Sequence, residues 1–171
     1  MEAIGTRRVV KIGVTAVLYT LIAVIMSAFP YEDIRFRLSD MLLILCLFTK
    51  DAVPALTMGC FAANVFGPFT AIDVILGTSA TFLVALLIYK MRARIGVITA
   101  GLIASGVYMA AVCAMMDLNN EGGDILKKAF IFALIEFLIV VIPGSVLKFH
   151  ITRLKRLKNF LSDAEKEAPK D

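Results

Sequence analysis

Residues 129–142 read AFIFALIEFLIVVI, an apolar run that contains one carboxylate, Glu136. The run belongs to a longer apolar segment at residues 125–149. A helix needs about 20 apolar residues to cross the hydrocarbon core of a bilayer, so this segment predicts a membrane-spanning helix. A carboxylate in the middle of such a helix is costly, and it is a functional-site hypothesis by default.

Five further apolar segments precede this one, at residues 9–29, 38–49, 52–66, 71–89 and 95–116. The chain has 171 residues, of which 60% are hydrophobic, and its mean hydropathy is +0.86. Soluble domains are nearer to half apolar. The pattern predicts an all-α integral membrane protein with six transmembrane helices. These form one domain at residues 1–150, and a charged tail follows at 151–171.

The second and third segments are shorter than a full span. Lys50, Asp51 and Pro54 break the helix between them, because two charges and a proline are disfavoured in hydrocarbon. We expect this pair to form either a tight helical hairpin that does not cross completely or two tilted short spans.

The positions of lysine and arginine predict the orientation, since cytoplasmic loops carry an excess of both. One set of segment ends carries most of the 18 basic residues, namely Arg7, Arg8, Lys11, Lys50, Lys90, Arg92, Arg94 and those from Lys148 onward. The opposite ends carry only Arg35, Arg37, Lys127 and Lys128. Both termini are therefore predicted to be cytoplasmic. This topology also explains the net charge of +4, and we expect no nucleic-acid partner.

The sequence offers no residue set for catalysis. His150, the only histidine, lies at the cytoplasmic end of the last segment, where a helix C-terminus favours it. Cys46, Cys60 and Cys113 lie inside apolar segments without metal-ligand spacing, which is typical of buried thiols. There is no GxxxxGK[ST] phosphate loop. We expect no enzyme, no metal site and no cofactor.

Several polar residues lie near the predicted external ends of the short segments and of the fourth, namely Arg37, Ser39, Asp40, Asn64 and Asp73. Asp73 could simply cap its helix, and Arg37 could pair with Asp40 three residues later. The amide of Asn64 is harder to explain without a partner, because a polar group in apolar surroundings needs a hydrogen bond.

If Glu136 reaches these residues, they line a pocket that opens outward. Acid, amide, hydroxyl and aromatic groups suit a planar, polar ligand, since a carboxylate accepts paired N–H donors and rings stack. Gly101, Ser105 and Tyr108 share one face of the fifth segment, which is either a pocket wall or a packing stripe. The alternative for Glu136 is a pairing with a neighbouring helix, or a carboxyl that stays protonated.

Gly13, Ala16 and Thr20 form a stripe of small residues in the first segment. Such residues let another helix approach closely in lipid. The stripe is either ordinary packing within the bundle or a docking surface for a partner protein.

The stretch from residue 35 to residue 92 resembles the QueT family of queuosine-precursor transporters. Residues 57–64, TMGCFAAN, and residues 73–78, DVILGT, carry the likeness. The family has a similar Gly-x-x-x-Ala-Asn turn, followed by Asp-x-x-x-Gly at the start of the next helix. Glu136 with the later Pro143-Gly144 also resembles the family's last helix. The likeness covers about residues 30–149 and differs at Asp40, where we expect Glu.

The resemblance implies an S component, the substrate-capturing subunit of an energy-coupling factor (ECF) transporter. Such proteins have six helices and a pocket that faces outward, and they dock on a transmembrane coupling subunit with two ATPase subunits. The stripe at Gly13, Ala16 and Thr20 is then a candidate docking surface. The implied ligand is a 7-deazaguanine such as preQ1, preQ0 or queuine, and the implied location is the cell membrane of a prokaryote.

Roles follow for the candidate residues on the same resemblance. Glu136 and Asp40 would read the N–H edge of the base, and Asn64 would hydrogen-bond an acceptor. Arg37, Ser39 and Asp73 would shape the entrance, and Tyr108 would stack on or cover the ring. Two alternatives stay open: an S component for another vitamin or nucleobase, and a membrane scaffold protein that transports nothing.

Overall fold

The computed structural model describes residues 6–27, 38–67, 71–118 and 124–153, and all regular secondary structure in this part of the chain is helical. The helices are α1 (Thr6–Ser27), the 3₁₀-helix η1 (Leu38–Leu47), α2 (Ala52–Phe66), α3 (Ala71–Met91), α4 (Val97–Leu118) and α5 (Ile125–Arg153). Each apolar segment of the sequence corresponds to one of them, which confirms the all-α prediction. Arg37 and the tail beyond residue 153 lie outside the described residues.

Four of these helices, α1, α3, α4 and α5, are long and apolar enough to cross a membrane. The other two are shorter, with 10 residues in η1 and 15 in α2. An α-helix rises about 1.5 Å per residue and a 3₁₀-helix about 2.0 Å, so each reaches roughly 20 Å of the ~30 Å hydrocarbon core. The structure therefore supports a multi-pass membrane protein with four full-length spans and two short helices.

The outer surface of the bundle is apolar. Val17 on α1 is 64% exposed, Phe66 on α2 is 76% exposed and Leu126 on α5 is 73% exposed. Soluble monomers rarely carry large continuous apolar surfaces. Lipid is the environment in which these side chains are solvated without cost, so the exposed face agrees with a membrane protein.

Helices that follow one another in the sequence also pack against one another, from α2 to α5, and α1 packs on α2. The short helix η1 contacts four helices, namely α1, α2, α3 and α5. It is almost enclosed by these neighbours, and Leu43, Ile44 and Cys46 have no exposed surface. The short helix therefore lies inside the bundle, and its polar residues are held there with it.

The 3₁₀ conformation of η1 differs from the ordinary helix that the apolar run at 38–49 suggests. Runs of 3₁₀-helix longer than three or four residues are uncommon and often mark a functional or strained segment. The helix ends at Leu47 and a turn follows it, in which the backbone N–H groups of Phe48 and Thr49 donate to the carbonyl oxygen of Leu45 at 2.9 and 3.1 Å. The chain then reverses direction into α2 at the position where Lys50, Asp51 and Pro54 predicted a break.

One ion pair joins this turn to the first helix. Nε of Arg8 lies 2.6 Å from Oδ1 of Asp51, and only 4% of the Asp51 side chain is exposed. The beginning of α1 and the η1–α2 turn therefore lie at the same end of the bundle.

Candidate functional site

The described bundle encloses a set of polar side chains, namely Ser39, Asp40, Asn64, Asp73, Thr81 and Glu136. Tyr108 is buried as well, with 2% exposure. All six of the predicted binding residues that the structure describes are therefore inside the bundle, and Arg37 is the one that lies outside the described residues. Their burial distinguishes them from solvated charges at loop ends.

Asp40 is fully buried, and its carboxylate accepts a hydrogen bond from the hydroxyl of Tyr19. The two residues come from η1 and α1, 21 positions apart in the sequence. A carboxylate inside an apolar bundle needs such a donor, because an ionised group is costly to desolvate without one. The bond joins α1 to the candidate site.

Ser39 precedes Asp40 and is also fully buried. Its Oγ has no hydrogen-bond partner among the described residues. A buried hydroxyl without a partner costs about 1–3 kcal/mol. A polar ligand at this position would supply the missing bond and recover that free energy.

Asn64 lies in the last turns of α2 and faces α3. Its Nδ2 is 3.5 Å from both Sγ of Cys60 and Oγ1 of Thr78. Both are weak, long contacts for an amide donor. These two contacts place the amide between α2 and α3, and both are longer than an ordinary hydrogen bond.

A second polar cluster lies one turn deeper, where α2, α3 and α4 meet. Oγ1 of Thr81 lies 3.0 Å from the hydroxyl of Tyr108 and 3.2 Å from Sγ of Cys60. Because Cys60 also contacts Asn64, this cluster connects two of the predicted site residues, Asn64 and Tyr108.

Glu136 is 1% exposed and belongs to a buried stripe of α5 with Ala129, Ala133 and Val140. On one side α5 packs against α4, which carries Tyr108, and it also packs against η1. A Cβ added at Gly144 would lie 2.6 Å from Cγ1 of Ile44 in η1. Glu136 lies about 12 Å from Gly144 along α5, toward the start of the helix. The helix α5 therefore borders both α4 and η1, which carry predicted binding residues.

Asp73 is 3% exposed and lies in the first turn of α3. It lies inside the helix, two residues after Ala71, and not at the N-cap position that the capping alternative requires. A carboxylate in the first turn interacts favourably with the helix dipole. It lies five residues before Thr78, which contacts Asn64. Asp73 is thus about 8 Å along the helix from that contact, toward the end at which α2 terminates.

Sequence reasoning missed three members of these clusters: Tyr19, Cys60 and Thr81. Cys60 and Thr81 have side chains that are common in apolar segments, and nothing in their spacing distinguishes them. Tyr19 carried a usable signal, because a phenolic hydroxyl in the middle of a spanning segment needs a partner.

The small-residue stripe of α1 divides between two environments. Oγ1 of Thr20 donates to the carbonyl oxygen of Gly59 at 3.1 Å, and the carbonyl oxygen of Ala16 would lie 2.8 Å from a Cβ at Gly59. This part of the stripe packs on α2. Gly13 is exposed and has nothing within 4 Å of an added Cβ.

The face of α4 that carries Gly101, Ser105 and Tyr108 is also divided. An added Cβ at Gly101 would lie 2.6 Å from Cγ2 of Val141, so this glycine packs tightly against α5. Ser105 is turned back to its own helix, with Oγ 3.1 Å from the carbonyl oxygen of Leu102. Only Tyr108 joins the buried polar cluster. Within the described ranges, no group of three or more His, Cys, Asp or Glu side chains is arranged to hold a metal ion.

Comparison with known proteins gives one family and one curated relative. The model of the family described as "QueT transporter" matches residues 9–153. A protein of Lactococcus lactis subsp. cremoris (strain MG1363), named queuosine precursor transporter QueT, is 37% identical over 83 residues. Those residues are 47% of this chain and 48% of that protein, so the match spans about half the length of the relative. No solved structure matches the chain significantly.

Proposed function

This chain belongs to the QueT transporter family, and we propose that it is the substrate-binding (S) subunit of an ECF-type ABC transporter that imports a queuosine precursor. The family match confirms the resemblance seen in residues 57–64 and 73–78. The observation that supports the proposal best is the burial of Ser39, Asp40 and Glu136 within an apolar membrane bundle. Ionisable groups at such positions are expensive and mark substrate or ion pathways.

The proposed ligand is a 7-deazaguanine such as preQ1, preQ0 or queuine. Its guanine-like edge presents three N–H hydrogens, one on the ring and two on the exocyclic amine, so two carboxylates can share them; one carboxylate accepts up to two parallel hydrogen bonds of this kind. Glu136 and Asp40 supply the carboxylates. The buried hydroxyl of Ser39, which has no partner in the described part of the chain, is available to the same ligand.

The remaining residues have supporting roles in this proposal. Asn64 hydrogen-bonds an acceptor of the base; its contacts to Cys60 and Thr78 are long and weak, so a ligand acceptor can compete with them. Tyr108 stacks on or covers the ring. Asp73, at the end of α3, and Arg37 shape the entrance.

The proposed partners are a transmembrane coupling subunit and two ATPase subunits, which supply the energy for transport. Gly13 is the part of the α1 stripe that faces outward, where no side chain prevents the approach of a partner helix. Ala16 and Thr20 pack α1 on α2 and so keep this surface in place.

We also propose that all six helices lie in the cell membrane of a prokaryote with both termini in the cytoplasm. The Arg8–Asp51 ion pair supports this orientation, because it joins two segments whose basic residues assign them to the same side. The orientation can be tested in intact cells that express the Cys113→Ala variant, by labelling with an impermeant maleimide. In that background, Asp117→Cys should react with the reagent from outside, and Arg94→Cys should react only after permeabilisation. The reverse pattern contradicts the orientation.

Calorimetry on the purified chain in detergent tests the function, with preQ1, preQ0, queuine, guanine, riboflavin and thiamine as ligands. Binding restricted to the deazaguanines supports the proposal. Binding of a vitamin alone contradicts the substrate and favours an S component of different specificity. No binding at all contradicts the S-component role and favours a membrane scaffold.

A further inference from the structure

Tyr19 is a buried polar side chain on α1, a helix that contributes no residue to the proposed binding site. It lies in α1, is 1% exposed, and donates its hydroxyl hydrogen to Oδ1 of Asp40. Most of the other large side chains of α1, such as Val17 and Leu21, are exposed. Tyr19 is therefore the residue through which this outer helix reaches the polar interior.

We propose that Tyr19 is a positioning residue that holds the Asp40 carboxylate in the orientation in which it accepts the N–H groups of a planar base. The inference rests on the proposed function, since it assigns a role to Tyr19 within the same site. It extends the site to α1, to which neither the sequence nor the resemblance assigned a ligand-related residue.

The approach of α1 at this level depends on Gly59. A Cβ added there would lie 2.8 Å from the carbonyl oxygen of Ala16 and 2.9 Å from Cβ of Tyr19. Contacts below 3.0 Å require one helix to move, and a backbone oxygen moves only with its helix. Thr20 reinforces the approach by donating to the carbonyl oxygen of Gly59. The glycine of the Gly-x-x-x-Ala-Asn motif therefore permits Tyr19 to reach Asp40.

The hydrogen bond from Tyr19 restrains the carboxylate and uses only one of its acceptor sites. An ionised carboxylate offers about four lone-pair sites, and the bond from Tyr19 occupies one of those on Oδ1. The bond restrains the rotation of the carboxylate, and with it the direction of Oδ2. A group held in its binding orientation before the ligand arrives loses less conformational entropy on binding, which raises affinity.

The charge on Asp40 makes this bond stronger than one between neutral groups. Removing the hydroxyl removes this restraint on the carboxylate. The loss should fall on ligands that use the paired N–H donors. A ligand that lacks one of these donors depends less on the orientation of the carboxylate.

The test compares Tyr19→Phe with the wild-type chain by calorimetry, using 7-deazaguanine and 7-deazahypoxanthine, which lacks the exocyclic amine. We expect Tyr19→Phe to bind 7-deazaguanine about tenfold or more weakly and to lose much of its preference over 7-deazahypoxanthine. Gly59→Ala should reduce the same preference, because it displaces α1. Tyr89→Phe is the matched control, since Tyr89 stacks under Arg92 at the far end of α3 and should bind as the wild type does.

The possible outcomes distinguish the proposed function from the proposed role of Tyr19. If the wild-type chain binds none of preQ1, preQ0, queuine and 7-deazaguanine, the proposed function fails and this inference fails with it. If the wild type binds while Tyr19→Phe keeps both its affinity and its preference, only the role of Tyr19 is refuted. An equal loss for both ligands, with a lowered melting temperature, also refutes it and assigns Tyr19 to helix packing.

Discussion

The hydroxyl groups of Thr81 on α3 and Tyr108 on α4 lie 3.0 Å apart in the interior of the bundle. Thr81 also bonds its own helix at the carbonyl oxygen of Gly77, at 3.0 Å, and contacts Sγ of Cys60 on α2. Val84 and Ala104, which lie within about one turn of Thr81 and Tyr108 on the same helices, are fully buried. Three helices therefore share one polar contact point, which sets the spacing between them beside Asn64.

Thr81→Val should lower stability, because valine keeps the shape of threonine and removes the interhelical hydrogen bond. Such bonds in membrane bundles contribute about 0.6 kcal/mol on average and up to about 1.7 kcal/mol. Thermal unfolding in detergent should show a lower melting temperature. The double variant with Tyr108→Phe should lose less than the sum of the single changes, because both remove the same bond. Thr99→Val, at an exposed position of α4, is the control; strict additivity would show that the two hydroxyls are not coupled.

Glu136→Ala should abolish ligand binding while the protein still inserts into the membrane. Hydrogen bonds to charged groups contribute about 1.5–3 kcal/mol each, so the loss of two corresponds to a hundredfold or greater drop in affinity. Glu136→Gln keeps the volume and should bind nearly as poorly, because an amide cannot accept two parallel N–H groups. Leu134→Ala on the exposed face of the same helix is the control. Wild-type affinity in Glu136→Ala would remove Glu136 from the site.

Gly144→Ala should disturb η1, because the new Cβ would lie 2.6 Å from Cγ1 of Ile44. Isoleucine is stiff at χ1, so η1 has to move rather than the side chain alone. Overpacking of this kind costs about 1–3 kcal/mol, and the movement should also weaken binding through Ser39 and Asp40 on the same short helix. Gly106→Ala is the matched control, since nothing lies within 4 Å of its added Cβ. Equal melting temperatures and affinities for the two variants would contradict the tight contact between α5 and η1.

The helices themselves were predictable from the sequence for a physical reason. Each spanning helix in lipid needs its own run of apolar residues, and charged or turn-forming residues must separate the runs. The predicted segment at 71–89 corresponds to α3 at Ala71–Met91, and the one at 95–116 corresponds to α4 at Val97–Leu118. The break at Lys50, Asp51 and Pro54 was predicted by the same rule.

The position of η1 was not predictable in this way. A short, mostly apolar segment of ten residues can form an α-helix or a 3₁₀-helix, and its own sequence does not show that four other helices surround it. In the candidate site, too, some features were predictable from the sequence and others depend on packing. Burial of Asn64 and Glu136 follows from their apolar flanks, whereas the Tyr19–Asp40 bond joins residues 21 positions apart and depends on how α1 packs.

The docking surface on α1 is best tested at Gly13, because the monomer has room for a larger side chain there. Gly13→Leu places a bulky group on an exposed position with nothing within 4 Å of its Cβ, so folding and ligand affinity should not change. If a partner helix packs at this position, the leucine prevents close approach, since small residues at helix interfaces are what allow it. Co-purification with the transmembrane coupling subunit should then fall severalfold, with unchanged calorimetry for the isolated chain. Gly106→Leu introduces the same residue at an equally open glycine on α4 and should not affect assembly. Unchanged co-purification of Gly13→Leu, or an equal loss in both variants, would place the coupling subunit on another face of the bundle.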